Sequence, residues 1–377
     1  MSPLPPPNES PRARPSRLRR ALLGLLALGA LASPAIASGC AAAFTPASQV
    51  ESLRVLAVSA SKPYANPGDE VTFTMTYHDG LAGPDDAQRP VQIVWLGGCF
   101  NPPGDQYFAC YEQLAELFSS LSTGQPPPPE YFAGGIGLDT FTTRIPEDIL
   151  TSREQPPVGP AYGIAYVFFA ACAGQIGPVE DPGGNAGAFP LGCFDAEGRR
   201  LGAESFVPGY TQIYVFGPIE DTQGNEILLT NENPEIGGLT LDGEEISEDF
   251  AEIPTVQACP VPEDERRAAG CGAQDPSAEC TTYEIKGIVD PGVAEPDLSG
   301  QTLDGEELSE VVWINYYADQ GEFESDIKLV NEATEGYLDD FGVQWIPPSE
   351  PGIATLWAVL RDARGGSSVV RRLVRVE

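Results

Sequence analysis

Histidine is all but missing from this 377-residue chain, with His78 the single instance. Zinc sites built on several histidines are thereby excluded, and any Ser-His-Asp centre would have to use His78. Its place in the alternation of "EVTFTMTYHDG" puts it on the outward face of a strand, where a solvated side chain is expected. The chain also lacks a G-x-S-x-G elbow, a C-x-x-C pair, a phosphate-binding loop and a dinucleotide fingerprint, in spite of 41 glycines. Lysine is limited to Lys62, Lys286 and Lys328, and acidic residues outnumber basic ones 55 to 21, for a formal charge of −34. Such a surface repels nucleic acid and anionic headgroups, so no nucleic acid is expected as a partner; cations and basic partners are admitted. Beyond residue 39 no run of eighteen apolar residues occurs, which excludes a membrane-spanning helix there.

What is present begins with an address. Arg12, Arg14, Arg17, Arg19 and Arg20 precede an apolar run from Ala21 to Ala32 and a small-residue stretch leading to Cys40. That order is the one of an export signal, and residues 1–39 are read as a signal peptide. Two cleavage sites compete. Ala35-Ile36-Ala37 suits ordinary signal peptidase, whereas "ASGC" resembles the bacterial lipobox, whose cysteine is acylated and becomes the mature N-terminus. Eight cysteines are even if Cys40 stays a thiol and odd if it is lipidated, which favours plain secretion. Against that, "CAAAFTPASQ" resembles the short uncharged tether of envelope lipoproteins. The resemblance implies lipidation at Cys40, a tether over residues 40–50, and a cell-envelope protein anchored at the outer membrane by its lipid alone. A periplasmic or secreted protein is the alternative.

From Leu53 onward the pattern is that of strands. Val71, Phe73, Met75 and Tyr77 alternate with Thr72, Thr74, Thr76 and His78, a period of two that buries one face. "LRVLAVSA" alternates more weakly upstream, Pro67-Gly68-Asp69 supplies a turn, and "VQIVWLG" places Trp95 on a third strand. "YGIAYVFFAAC" reads as a central strand buried on both faces, and "TQIYVFG" can close its sheet. Between Trp95 and Tyr162 lies more chain than a simple sandwich needs, including the helical-looking "YEQLAELFSSL". Near Asn231 a second module begins, and the chain ends in its clearest hairpin: Leu356, Ala358 and Leu360 alternate, "RDARGG" turns, and Val370 to Val376 returns.

This order of strands resembles immunoglobulin-like sandwiches of bacterial surface proteins, and the last two strands resemble those of PKD-type modules. The fold implied is all-β: two immunoglobulin-like β-sandwich modules in tandem with disulfide-bearing loop insertions, over residues 51–225 and 226–377. Export makes disulfides reasonable, with Cys99, Cys110, Cys172, Cys193, Cys259, Cys271 and Cys280 as candidates. The pairings expected are Cys99 with Cys110 and Cys172 with Cys193; the remaining three would staple an excursion of the second module.

One nonapeptide occurs twice, "TLDGEEISE" at 240–248 and "TLDGEELSE" at 302–310. Asp242, Glu244, Asp304 and Glu306 are hard oxygen donors, so calcium is possible, although the EF-hand register is absent. An Asp-Gly pair between strand-compatible stretches also marks a tight hairpin corner, and the repeat ends abruptly on both sides; two similar corners are the preferred reading. Aromatics Tyr337 and Trp345 beside Asp339 and Asp340 suit either a sugar-binding surface or closure of the second sandwich. The function expected is a non-enzymatic cell-envelope module for binding or scaffolding. A calcium-dependent adhesin for polysaccharide or protein is the near alternative, and a secreted carboxylate-dependent hydrolase the alternative of another class.

Overall fold

The computed structural model describes residues 46–81, 88–112, 114, 117, 127–179, 189–220, 225–268, 279–301 and 307–377. The export segment with Cys40, residue Cys271, and Asp304 and Glu306 of the second nonapeptide lie outside the described residues. The fold is all-β, in two sandwiches.

In the first sandwich, β1 (Leu53–Ala60), β2 (Glu70–Asp79) and β5 (Thr140–Arg144) form one antiparallel sheet in the order β1-β2-β5. Facing it, β3 (Gln92–Phe100), β4 (Phe132–Ile136), β6 (Tyr162–Cys172) and β9 (Phe206–Phe216) run in the order β4-β3-β6-β9. The alternation of β2 is realised: Val71, Phe73 and Met75 are buried between the sheets, where Phe73 packs near Trp95. Trp95 is fully buried, stacks on Phe141, and its indole N–H donates to the Leu138 carbonyl at 2.9 Å. Such a partner is what a buried indole requires.

Every residue of β6 after Tyr162 is buried. One face, with Val167 and Phe169, belongs to the sandwich core; the other, with Ile164, Tyr166 and Phe168, packs under two insertions, one carrying Cys110 and Leu114 and one carrying Leu191. Disulfides fasten this cover to the sheet. Cys99 at the end of β3 joins Cys110, and Cys172 at the end of β6 joins Cys193 in β8 (Leu191–Phe194), which pairs with β7 (Gln175–Pro178). Of the helical-looking run, the described residues Tyr111, Glu112, Leu114 and Leu117 are helical.

A short hairpin, β10 (Ile219–Glu220) and β11 (Glu226–Ile227), precedes the second sandwich. There β12 (Gly238–Leu241), β13 (Glu244–Glu245), β15 (Tyr283–Ile288), β19 (Glu322–Phe323) and β22 (Val343–Ile346) form a sheet ordered β13-β12-β15-β22-β19. The facing sheet contains β14 (Thr255–Val256), β18 (Val312–Ala318), β20 (Ile327–Glu332), β21 (Gly336–Tyr337), β23 (Gly352–Asp362) and β24 (Ser367–Val376), ordered β14-β24-β23-β18-β20-β21. β16 (Pro296–Gln301) and β17 (Glu307–Ser309) form a side hairpin. The terminal hairpin pairs Gly352 with Val376 through to Arg361 with Ser367. Trp345 is fully buried in this core and Tyr337 packs against it, so both close the sandwich and form no sugar surface.

The two sandwiches, successive in sequence, pack against each other. A β-bulge between Val55 and Ala57 breaks the alternation of β1, so that Leu56 and Ala57 leave the first core and join Val50, Trp357 and Val359 in a separate apolar cluster. Trp357 and Val359 are the outward residues of β23, whose inward neighbours Leu356, Ala358 and Leu360 fill the second core. Polar bonds border this seam: Arg361 Nη2 donates to the Leu56 carbonyl at 2.6 Å, Ser59 Oγ lies 2.9 Å from Ser367 Oγ, and Asn233 Nδ2 donates to the Ala60 carbonyl at 2.7 Å. The chain enters along the same seam. Val50 N–H donates to the Ala318 carbonyl at 2.8 Å and Ala318 N–H to the Ser48 carbonyl at 2.9 Å, which straps residues 48–50 onto β18.

Candidate ligand-binding cleft at the module seam

At one end of the seam the sandwiches part into an open cleft of about 550 Å³. The first module contributes Tyr64, Gln212, Tyr214 and Phe216; the second contributes Trp313 and Arg361. Period two accounts for each position. Ile213 and Val215 enter the first core, leaving Tyr214 and Phe216 outward, and Ile314 and Tyr316 enter the second core, leaving Trp313 outward. Tyr64 meets Phe216 edge-on with centroids 4.9 Å apart, and Tyr214 and Phe216 lie nearly parallel at 5.7 Å. Burial pushes the Tyr64 phenol up to about 12, so it stays a neutral donor. An apolar-lined concavity with a few fixed polar groups is the usual form of a ligand site.

Beside this cleft, Arg364 faces several carboxylates in a smaller cavity of about 150 Å³ lined by Tyr64, Glu295 and Asp297. Its guanidinium lies 3.5 Å from Glu295, 3.9 Å from Asp297 and 3.6 Å from Glu310. Glu310 is 4 % exposed, its Oε1 accepts the Glu295 N–H at 3.0 Å, and its Oε2 has no hydrogen-bond donor. Burial, reinforced by Asp362 and Glu295, holds its carboxyl at about 7. Asp362 is committed to structure, since its Oδ1 accepts the N–H groups of Arg364 and Gly366 at 2.8 and 2.7 Å and fixes the turn between β23 and β24.

At the other end, a cleft of about 420 Å³ holds His78, Trp357, Arg89 and Arg371. Here the sequence expectation is corrected. His78 is outward with respect to its own sandwich, but the second module covers that face: the imidazole packs on Trp357 at 4.8 Å and its Nε2 lies 3.9 Å from Asp319. Burial lowers the His78 pKa, opposed by the Asp319 charge, and burial raises that of Asp319. Asp319 in turn accepts the Thr355 N–H at 2.7 Å, so the pair braces the seam.

The first nonapeptide is a hairpin corner. Asp242 and Gly243 take φ of 49° and 87° between paired β12 and β13, the left-handed pair of a type I′ turn. Asp242 Oδ1 accepts the Glu284 N–H at 2.8 Å, Glu244 is exposed, and Glu248 reaches Arg372 at 2.9 Å, so these carboxylates do not converge on one point. Among the described residues no three potential ligands come together as a metal site. Cys259 joins Cys280, closing the excursion that contains Cys271. The sequence missed Tyr64, Tyr214, Phe216 and Arg361 as site residues; for Tyr214 and Phe216 the available signal was the outward parity of aromatics on a strand whose other face is apolar, and Tyr64 and Arg361 carried none.

No family model matches the chain, and no curated protein matches it. Among solved structures it is similar to the fibronectin(III)-like modules of Clostridium thermocellum CbhA, at 8 % identity over 86 % of this chain and 92 % of that one, with a TM-score of 0.19. The D00-D0 domain of Intimin gives 9 % identity over 85 % and 100 %, TM-score 0.19. The C-terminal domain of the Streptococcus pyogenes antigen I/II-family protein AspA gives 8 % over 86 % and 98 %, TM-score 0.20. Likenesses this loose carry no weight for function, which has to be argued from the chain's own geometry.

Proposed function

We propose that the protein is a non-enzymatic binding module of the cell envelope, held there through an acylated Cys40, which takes its ligand in the cleft at the module seam. The observation that carries this reading is the lining of the cleft: Tyr64, Tyr214, Phe216 and Trp313 come from both sandwiches, which pack together through the apolar seam. A site assembled across a packed interface is preorganised, so little ordering entropy is lost on binding. The ligand classes that suit it are envelope polysaccharide and protein. Trp313→Ala tests the reading, because its ring is half-exposed and removable without opening a core. Retention of isolated envelope polysaccharide or envelope protein on the immobilised mature chain should fall about tenfold, equivalent to 1.4 kcal/mol, with the melting temperature unchanged. Equal retention by variant and wild type would overturn the site. Mass spectrometry of the mature protein tests the anchor, since a free N-terminus at Ser38 is incompatible with acylation at Cys40.

One observation favours a second reading. Glu310, protonated up to about pH 7 beside Glu295 and under Arg364, has the tuning of a general acid in a carboxylate-dependent hydrolase. Release of reducing ends from polysaccharide by the wild type, abolished in Glu310→Gln, would replace the binding reading with that one.

A further inference from the structure

The aromatic lining of the seam cleft continues beyond its mouth. Tyr210, Gln212, Tyr214 and Phe216 share the face of β9 opposite Ile213 and Val215, which are buried in the first core. From Tyr210 to Phe216 the extended strand covers about 20 Å. Rings from other segments widen the row: Tyr107 stacks on Tyr210 at 4.3 Å with planes 19° apart, and Tyr64 adjoins Phe216. The far end is open to solvent, with Tyr210 43 % and Phe108 47 % exposed.

Polar groups lie along the same line. Gln212 is exposed between the rings, and Tyr162, 6.4 Å from Tyr214, carries the Arg153 guanidinium 4.1 Å above its ring centroid. Arg153 is paired with Asp105 at 2.7 Å, and Tyr166 donates to the Asp105 carbonyl at 2.7 Å. The loop carrying Asp105 is fixed: Asn101 and Asp105 hold φ of 47° and 56°, strained for residues other than glycine, and the Cys99–Cys110 bridge closes it.

A row of rings about 20 Å long with amide, hydroxyl and charged groups at its side matches a sugar chain: apolar C–H faces rest on the rings while hydroxyls meet the polar atoms. A polyanion is disfavoured by the chain's charge of −34. The geometry points to a neutral, linear polysaccharide lying along β9 from the Tyr107–Tyr210 platform into the seam cleft, bound over several sugar units at once. This rests on the binding reading above and specifies the ligand of the same cleft.

Calorimetric titration of the mature chain with β-glucan, α-glucan and N-acetylated amino-sugar oligomers, from disaccharide to hexasaccharide, tests it. For one series, affinity should rise with each added unit until the row is filled. Tyr210→Ala, at an exposed ring, should weaken the hexasaccharide about tenfold and leave the disaccharide unchanged, whereas Trp313→Ala should weaken both. Affinity independent of length, a Tyr210→Ala variant that binds the hexasaccharide like wild type, or no binding of any series would overturn the row. If oligomers fail while Trp313-dependent retention of envelope protein persists, the polysaccharide row falls and the seam cleft stands. If oligomers bind with length dependence that Trp313→Ala does not touch, the cleft falls instead, and with it a path that ends there.

Discussion

Each sandwich has a strand buried on both faces, β6 in the first and β23 in the second, and the two are covered in different ways. The outer face of β6 lies under two insertions of the first module itself, one fastened by Cys99–Cys110 and the other by Cys172–Cys193. That of β23 lies under the other module, through Leu56 and Ala57 on Trp357 and Val359, with no disulfide across it among the described residues. The first cover belongs to one folding unit and the second couples two. Trp357 therefore contributes to the stability of both modules, while the disulfides act on one.

The largest effect is expected at the coupling. Trp357→Ala removes a ring that is 3 % exposed and should cost about 3–5 kcal/mol. Calorimetry should show one unfolding transition splitting into two as the modules part; a single shifted transition would mean that the sandwiches unfold together without the seam. Replacing Cys172 and Cys193 by alanine should cost about 2–4 kcal/mol. That loss should lower protection from amide exchange in β6 and β8 and leave β23 and β24 as in the wild type, which separates the stapled cover from the packed one.

A smaller effect sits beside the seam and depends on pH. The Glu310 carboxyl is raised from 4.5 to about 7. The folded state thus favours its protonated form, and the associated stability is complete below about 4.5 and lost as pH rises through about 7. Glu310→Gln should remove this slope, so that urea unfolding finds the variant gaining about 1–3 kcal/mol on the wild type between pH 5 and pH 8. A constant difference across that range would show that Arg364 already neutralises the carboxylate. The smallest effect concerns a corner remote from either cover: Asp242→Ala removes the acceptor for Glu284 N–H and places alanine at positive φ, for about 1 kcal/mol in the same measurement.

Much of the fold was legible because it is written in local period. Val71, Phe73 and Met75 announced β2, the unbroken apolar run of β6 announced burial on both faces, and Asp242-Gly243 announced its turn. The seam was not legible. Period two reports which side chains share a face and says nothing of what covers it, so His78 was expected in water and is packed on Trp357. The bulge that turns Leu56 and Ala57 outward also disguised their role, since a strand with weak alternation carries no label for a second interface. The cleft was hidden for a related reason. Tyr64, Phe216, Trp313 and Arg361 are far apart in sequence and meet only once two sheets have stacked, which no spacing records. The carboxylates of the first nonapeptide, conspicuous as letters, separate in space because Asp242 turns onto the Glu284 N–H, Glu244 faces solvent and Glu248 reaches Arg372.

The strap of residues 48–50 on β18 sets how the molecule would bear mechanical load. A pull on the chain ahead of residue 46 reaches the Ser48 and Val50 bonds to Ala318 before it reaches β1. The force then passes directly into the second sandwich, through a strand held between β20 and β23. A pull from that end therefore reaches the first sandwich, with the aromatic row of β9, only after the strap has been loaded.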